Sequence, residues 1–201
     1  MSKTIGVLGC GWLGTPLAET LLASGNRVRG STTRKEKINS LSGKGIDAFL
    51  LRLGDHEIEG NPEEFLEGLD CLVVNIPPGI RKDPKADFIS RIRLVETYLQ
   101  KAAIPHLVFV SSTSVYGASQ GSVTEADHPL PDSQTGEQLL QAENILLENT
   151  ARTTQILRPG GLIGPDRHPV FTLSGKNINS DGSERVNLVR RKDLLNILSL
   201  L

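Results

Sequence analysis

Short apolar runs alternate with longer stretches of helical period along the first 158 residues or so. Ile5-Gly6-Val7-Leu8 is apolar throughout, the pattern of a strand buried on both faces. Leu13, Leu17 and Leu21 then recur every four residues on one helical face, with Gly25 placed to end the helix. Further strands are predicted over Arg27 to Thr32 and over Ala48 to Leu53. Asn61-Pro62-Glu63-Glu64 has the makings of a helix start: a capping side chain, proline in the first turn and acids facing the dipole. Cys71-Leu72-Val73-Val74-Asn75 is the fourth strand, closed by Pro77-Pro78. Asp83-Pro84 is predicted to open a long helix whose Phe88, Ile92, Val95 and Leu99 share a face. Leu107 to Val110 forms the fifth strand, and a polar loop covers Ser119 to Ser133. Helical period returns through Leu139, Ala142, Leu146 and Leu147, and Gln155-Ile156-Leu157 is the sixth strand.

Strand–helix alternation of this kind predicts an α/β fold, a Rossmann-type doubly wound parallel sheet with helices on both faces. Residues 1–158 make up that dinucleotide-binding domain. Residues 159–201 turn rich in Gly, Pro, Ser and Asn; they predict one strand near Val186 to Val189, a short helix from Asp193 onwards, and a partial substrate lobe packed on the domain. Lys and Arg total 22 against 23 Asp and Glu, a net charge of -1, which gives no electrostatic case for nucleic acid or an anionic membrane. No apolar run reaches the ~18 residues of a spanning helix. The two cysteines, Cys10 and Cys71, form neither a CxxC pair nor a metal spacing, and the four histidines (His56, His106, His128, His168) are scattered, so no metal is expected. A reduced, cytoplasmic protein is the expected setting.

Gly9-Cys10-Gly11-Trp12-Leu13-Gly14 reads GxGxxG. Such a motif alone is weak, but this one lies between the first strand and an amphipathic helix, where it is informative. Gly9 would allow the tight turn, Gly11 the approach of backbone to a pyrophosphate, and Gly14 close helix–strand packing; the helix N-terminus then faces the phosphates. NAD sites usually carry an acid about 20 residues further on, to accept from the ribose hydroxyls. Here the second strand runs instead into Ser31-Thr32-Thr33-Arg34-Lys35. Arg34 could grip a 2′-phosphate bidentately, with Thr33 as a further donor, so NADP is favoured over NAD; otherwise Arg34 and Lys35 simply begin a solvated helix. Asp55 could accept from the adenine amino group or be an ordinary loop acid.

These motifs resemble the extended short-chain dehydrogenase/reductase family, also called the NAD-dependent epimerase/dehydratase family. Further matches are Asn75-Ile76-Pro77-Pro78, then Val110-Ser111-Ser112-Thr113-Ser114-Val115-Tyr116-Gly117, then Glu125 with Pro129 and Pro131, and finally Arg158-Pro159-Gly160-Gly161-Leu162-Ile163-Gly164-Pro165. The resemblance covers most of the chain and its motifs occur in the family's order. It implies that Asn75, Ile76 and Pro77 lie along the cofactor together with Ser111, and that Pro159, Gly160 and Gly161 lie near the nicotinamide. It also implies that Ser112 polarises the reacting alcohol or carbonyl of a nucleotide sugar or other small compound, the hydride passing to or from the nicotinamide. Otherwise Ser112 is only a strand-end cap.

Two departures stand against that pattern. The family's proton-transfer pair is a tyrosine with a lysine four residues later. Aligned on Pro131 to Leu139, this chain places Thr135 at the tyrosine and Leu139 at the lysine, and no YxxxK occurs anywhere, because Ala102 and Gln120 follow the two tyrosines Tyr98 and Tyr116 at that spacing. A threonine hydroxyl titrates too high to replace a tuned phenol without an adjacent base. Glu137 and Tyr116 are possible substitutes, though helix-dipole and turn-filling roles suit them better. The second departure is Val186-Asn187-Leu188-Val189-Arg190-Arg191-Lys192-Asp193, which resembles the family's NxxHxxD block with Arg190 at the histidine. The family continues well beyond this block, so the lobe over 159–201 is short, either truncated or abbreviated. The apolar crowd Leu194, Leu195, Ile197, Leu198, Leu200 and Leu201 needs cover from a homodimer or a further segment. The expectation is an NADP(H)- or NAD(H)-dependent oxidoreductase or epimerase without the usual pair, the alternative a non-catalytic NADP(H)-binding sensor or interaction module.

Overall fold

The computed structural model describes residues 2–79, 87–177, 183 and 186–200. Ten strands and seven α-helices follow one another along these residues: β1 Thr4–Leu8, α1 Gly14–Ala23, β2 Arg27–Thr32, α2 Ile38–Ser42, β3 Asp47–Leu50, β4 Arg52–Leu53, β5 Ile58–Glu59, α3 Pro62–Leu66, β6 Cys71–Val74, α4 Phe88–Ala102, β7 His106–Val110, α5 Gln134–Leu147, β8 Thr153–Leu157, β9 Gly161–Ile163, α6 Pro169–Leu173, β10 Leu188–Arg190 and α7 Arg191–Leu198. Six of the strands form one parallel sheet in the order β3-β2-β1-β6-β7-β8. The chain builds outward from β1 to β3, then returns to the other side of β1 at β6. That reversal makes the carboxyl ends of β1 and β6 the switch point, where such sheets bind ligands.

Period-two alternation divides the core between the two faces of the sheet. Leu72, Val74, Leu107 and Phe109 point to one face, where they pack with Phe65 of α3, Phe88, Ile92 and Leu99 of α4, and Leu139 and Leu146 of α5. Ile5, Val7, Cys71, Val73 and Val108 point to the other, against Leu17 and Leu21 of α1 and Leu194 and Leu198 of α7. Fully buried side chains of this kind contribute about 1.5–3 kcal/mol each. The apolar face of α4 is thus taken up by the sheet.

Local signals agree with the sequence at several ends. Asn61 accepts from the Glu64 amide at 3.2 Å with Pro62 in the first turn of α3. Gly25 takes φ +84° just past α1, a left-handed conformation that closes the helix without a Cβ penalty. Helix α4 is capped by Asp87, whose carboxylate accepts from the Ser90 amide at 2.9 Å; the start expected at Asp83-Pro84 lies outside the described residues.

Other expectations are corrected. The strand expected over Ala48 to Leu53 breaks in two. Leu51 is buried and its amide bonds to Thr32 at the end of β2, so the sheet offers Arg52 no further partner. The chain turns there into the antiparallel hairpin of β4 and β5. Leu147 is 46% exposed, because it follows Leu146 round the helix by about 100° and off the core face. The strand expected over Val186 to Val189 is β10, Leu188–Arg190, pairing in parallel with β9. Of the terminal apolar crowd, Leu194 and Leu198 are buried, whereas Ile197 and Leu200 are exposed. Among the described residues no helix is long and apolar enough to cross a membrane.

Candidate functional site: a dinucleotide cradle

All six strands run the same way, so the segments that leave their carboxyl ends share one rim. At β1 the chain turns sharply through Gly9, with φ +107°. A Cβ on Gly9 would stand 2.4 Å from the Asn75 carbonyl oxygen, and one on Gly14 would stand 2.1 Å from the Gly9 carbonyl oxygen. Only glycine fits either place. Asn75, at the end of β6, locks the turn: its side-chain amide donates to the Gly9 carbonyl at 3.1 Å and its backbone amide to Leu8 at 2.9 Å. From β2, the Ser31 hydroxyl accepts from the Gly9 amide at 2.9 Å, and the Ser31 carbonyl accepts from the Cys10 amide at 2.7 Å. Above Gly11, in contrast, a Cβ would meet nothing within 4 Å. The turn is rigid beneath and open above, and α1 carries neither a capping side chain nor an acid in its first turn. That is the shape and polarity a pyrophosphate needs.

Other residues of the motif face inward. Cys10 and Leu13 are buried. Burial pushes the Cys10 thiol up to about 12 and the Cys71 thiol up to about 11, so both are inert packing groups. Trp12 is half-buried and donates from its indole N–H to the Pro165 carbonyl at 3.1 Å. At the end of β2, Thr33 and Arg34 are exposed, with the Thr33 carbonyl held by Arg52 Nε at 3.1 Å. The Arg34 guanidinium has no partner among the described residues. Asp55 stands in the β4–β5 turn and its carboxylate accepts from Arg91 Nε at 2.9 Å. Ile76 is half-buried and Pro77 exposed on the segment leaving β6.

The β7–β8 side of the rim is organised by a carboxylate that the sequence reading passed over. Glu143 of α5 is wholly buried. It accepts from the Ser111 hydroxyl at 2.5 Å and from Arg158 through Nε at 3.1 Å and Nη2 at 2.5 Å. Arg158 in turn donates to the Tyr116 hydroxyl at 2.5 Å, and its hydrogen bonds to Glu143 hold its pKa above the ordinary arginine value. The signal was present: Glu143 follows Leu139 by four and precedes Leu146 by three, an acid on the buried stripe that must find a cation. Ser112 caps the short turn Thr113–Val115, accepting from the Ser114 amide at 3.1 Å, and its own proton has no acceptor among the described residues.

Thr135 is half-buried in the first turn of α5, while Leu139, at the lysine position, is in the core. Glu137 is exposed in the same first turn. Beyond β8, the Pro159 carbonyl accepts from the Thr113 amide at 3.0 Å and the Gly161 amide donates to Asn187 at 2.8 Å. A Cβ on Gly160 would stand 2.4 Å from Asn187 Oδ1, so the 159–161 strap is pinned between the β7 turn and β10. No group of three or more His, Cys, Asp or Glu able to hold a metal occurs among the described residues.

A glycine cradle at the switch point of a doubly wound parallel sheet defines a Rossmann-type dinucleotide-binding protein. Residues 4–121 match the family described as the NAD binding domain of 6-phosphogluconate dehydrogenase, and the chain belongs to that family. It is 36% identical over 202 residues to Protein YeeZ of Escherichia coli, covering 99% of this chain and 73% of that protein. Among solved structures, MoeE5 in complex with UDP-glucose and NAD superimposes with a TM-score of 0.76 at 23% identity, over 98% of this chain and 71% of that one. A UDP-N-acetylglucosamine 4-epimerase from Methanobrevibacter ruminantium superimposes with a TM-score of 0.78 at 20% identity, over 97% of this chain and 71% of that one. The matched family is named for a different dehydrogenase from the one the motifs resemble. NAD binding on a Rossmann sheet is common to both.

Proposed function

We propose that the chain is an atypical member of the extended short-chain dehydrogenase/reductase group, using NADP(H) in preference to NAD(H) on a small carbonyl, alcohol or nucleotide-sugar compound. The observation that carries this reading is the cradle itself: Gly9 and Gly14 admit no side chain, Gly11 is open, and Asn75 holds the turn. Backbone of Gly9 to Gly14 would receive the pyrophosphate, with Thr33 and Arg34 at the 2′-phosphate and Asn75 to Pro77 and Pro159 to Gly161 along the nicotinamide half. Bound there, the nicotinamide ring accepts or donates the hydride. Ser112 Oγ has a proton to offer a substrate oxygen and orients it; Ser111 is held away from that task by Glu143. Residues 159–201 supply part of the substrate wall. Titration with NADPH and NADH, read by quenching of Trp12, tests the cofactor reading beside Arg34→Ala. Preference for NADPH that disappears in the variant supports it. NADH binding indifferent to the variant removes the NADP assignment, and no binding of either removes the whole reading.

A second reading is favoured by one observation: the position of the family's lysine is Leu139, buried in the core, so the usual proton pair cannot form. On that reading the chain is an NADP(H)-binding sensor or interaction module. Substrate-dependent loss of NADPH absorbance distinguishes the two, since a sensor binds without turnover.

A further inference from the structure

Two arginines from the last third of the chain converge on the glycine motif. The Arg167 guanidinium carbon lies 4.5 Å from the centre of the Trp12 ring, and that of Arg191 lies 4.4 Å from it. Arg191 Nη1 also donates to the Trp12 carbonyl at 3.0 Å. Both placements are held by backbone. Gly164 and Arg167 exchange hydrogen bonds at 2.9 and 3.0 Å across Pro165-Asp166, closing a tight turn, and a Cβ on Gly164 would stand 3.1 Å from the indole. Arg191 begins α7, whose Leu194 and Leu198 are anchored in the core beside α1.

Neither guanidinium has a carboxylate partner among the described residues; Asp166, next to Arg167, pairs with neither. Arg190, one residue before Arg191, is by contrast tied to Asp193 at 3.0 Å. The two charges on Trp12 are closer together than a Debye length, ~10 Å in 0.1 M salt, so they repel one another. Stacking on the indole face orients them but neutralises neither. They stand, moreover, beside the N-terminus of α1, which brings more positive potential and no acid. Like charges held together in this way favour the binding of an anion with several oxygens.

We propose that Arg167 and Arg191 form a cationic clamp, mounted on Trp12, that binds a diphosphate from the C-terminal side of the glycine cradle. This rests on the dinucleotide reading of the cradle and adds side-chain charge to its backbone donors. The diphosphate belongs either to the dinucleotide or to a nucleotide-sugar substrate; both present the same oxygens to a guanidinium. The clamp also ties the 164–167 turn and α7 to ligand binding, which a cradle of backbone alone would not do.

Calorimetric titration of the whole chain with NADPH, NADH and UDP tests the clamp in Arg167→Gln, Arg191→Gln, the double variant and Lys192→Gln. Arg167 is exposed, so its replacement removes charge without opening a cavity. Each arginine variant should weaken binding about tenfold and the double about a hundredfold, as expected for charge-assisted bonds to phosphate, with Lys192→Gln within about twofold of the parent. Weakening for the dinucleotides assigns the clamp to the cofactor; weakening for UDP alone assigns it to the substrate diphosphate. Unchanged affinities in the double variant overturn the clamp and leave the dinucleotide reading standing. A parent protein that binds none of the three ligands overturns both.

Discussion

On the β1–β6 side of the rim, Gly9, Gly11 and Gly14 present backbone around an open space. On the β7–β8 side, Ser111, Glu143, Arg158 and Tyr116 bond to one another in a closed chain. The first side spends the Gly9, Cys10 and Gly11 amides on the turn itself and leaves the space above Gly11 open to a ligand. The second satisfies most of its own; among the described residues the Ser112 proton has no acceptor, and Ser114 Oγ and Gln138 Oε1 are buried without partners. A ligand cradle is built by removing side chains at the point of contact. A structural ion pair is built by filling the space and matching charge. The contrast separates a turn shaped to receive a ligand from a self-satisfied network, in a chain whose sequence contains no YxxxK.

The largest effect should come from the closed side. Glu143→Ala takes the carboxylate from half-buried Arg158 and from the buried Ser111 hydroxyl and should cost about 2–3 kcal/mol, seen as a large fall in the denaturation midpoint. Adding Arg158→Met should recover part of that loss. A double variant no more stable than Glu143→Ala would show that the pair is not the coupling element. Next, Gly9→Ala forces a Cβ into the Asn75 carbonyl at positive φ. It should cost about 1–3 kcal/mol and abolish measurable dinucleotide binding. Retained affinity would mean that the turn does not hold the ligand. Asn61→Ala should cost about 1 kcal/mol by loss of the α3 cap and leave nucleotide affinity alone.

The smallest effect should be at the cysteines. Their thiols lie at about 12 and about 11 when folded, against 9.0 when exposed. The native protein should therefore resist thiol reagents at pH 8, and denaturant should release two reactive groups. Because the unfolded thiols ionise first, stability falls as pH rises from 9 towards those folded values. Rapid modification of native Cys10 would mean that the cradle opens in solution.

Much of this was legible beforehand, element by element. The apolar runs of β1, β6 and β7, the Asn61 cap and the GxGxxG turn each depend on neighbours a few residues away, so composition at fixed spacing reports them directly. The break of β3 into the β4–β5 hairpin was not legible. It depends on where β2 ends across the sheet, and Leu51 looks the same in sequence whether the strand continues or not. Glu143 left a visible mark as an acid on an apolar stripe, but its partners Ser111 and Arg158 come from the ends of two other strands.

By itself, then, the sequence determined the parallel sheet, the position of the glycine turn and the absence of any YxxxK, all of them properties of residue type at local spacing. Only the tertiary structure decided which charges meet. It paired Asp55 with Arg91 and Glu143 with Arg158, left Arg34 without a partner among the described residues, and brought Arg167 and Arg191 onto Trp12 from more than 150 positions away. The physical reason is that a charge's role is set by its counter-charge and its solvent, and folding assigns both through contacts between residues far apart in the chain.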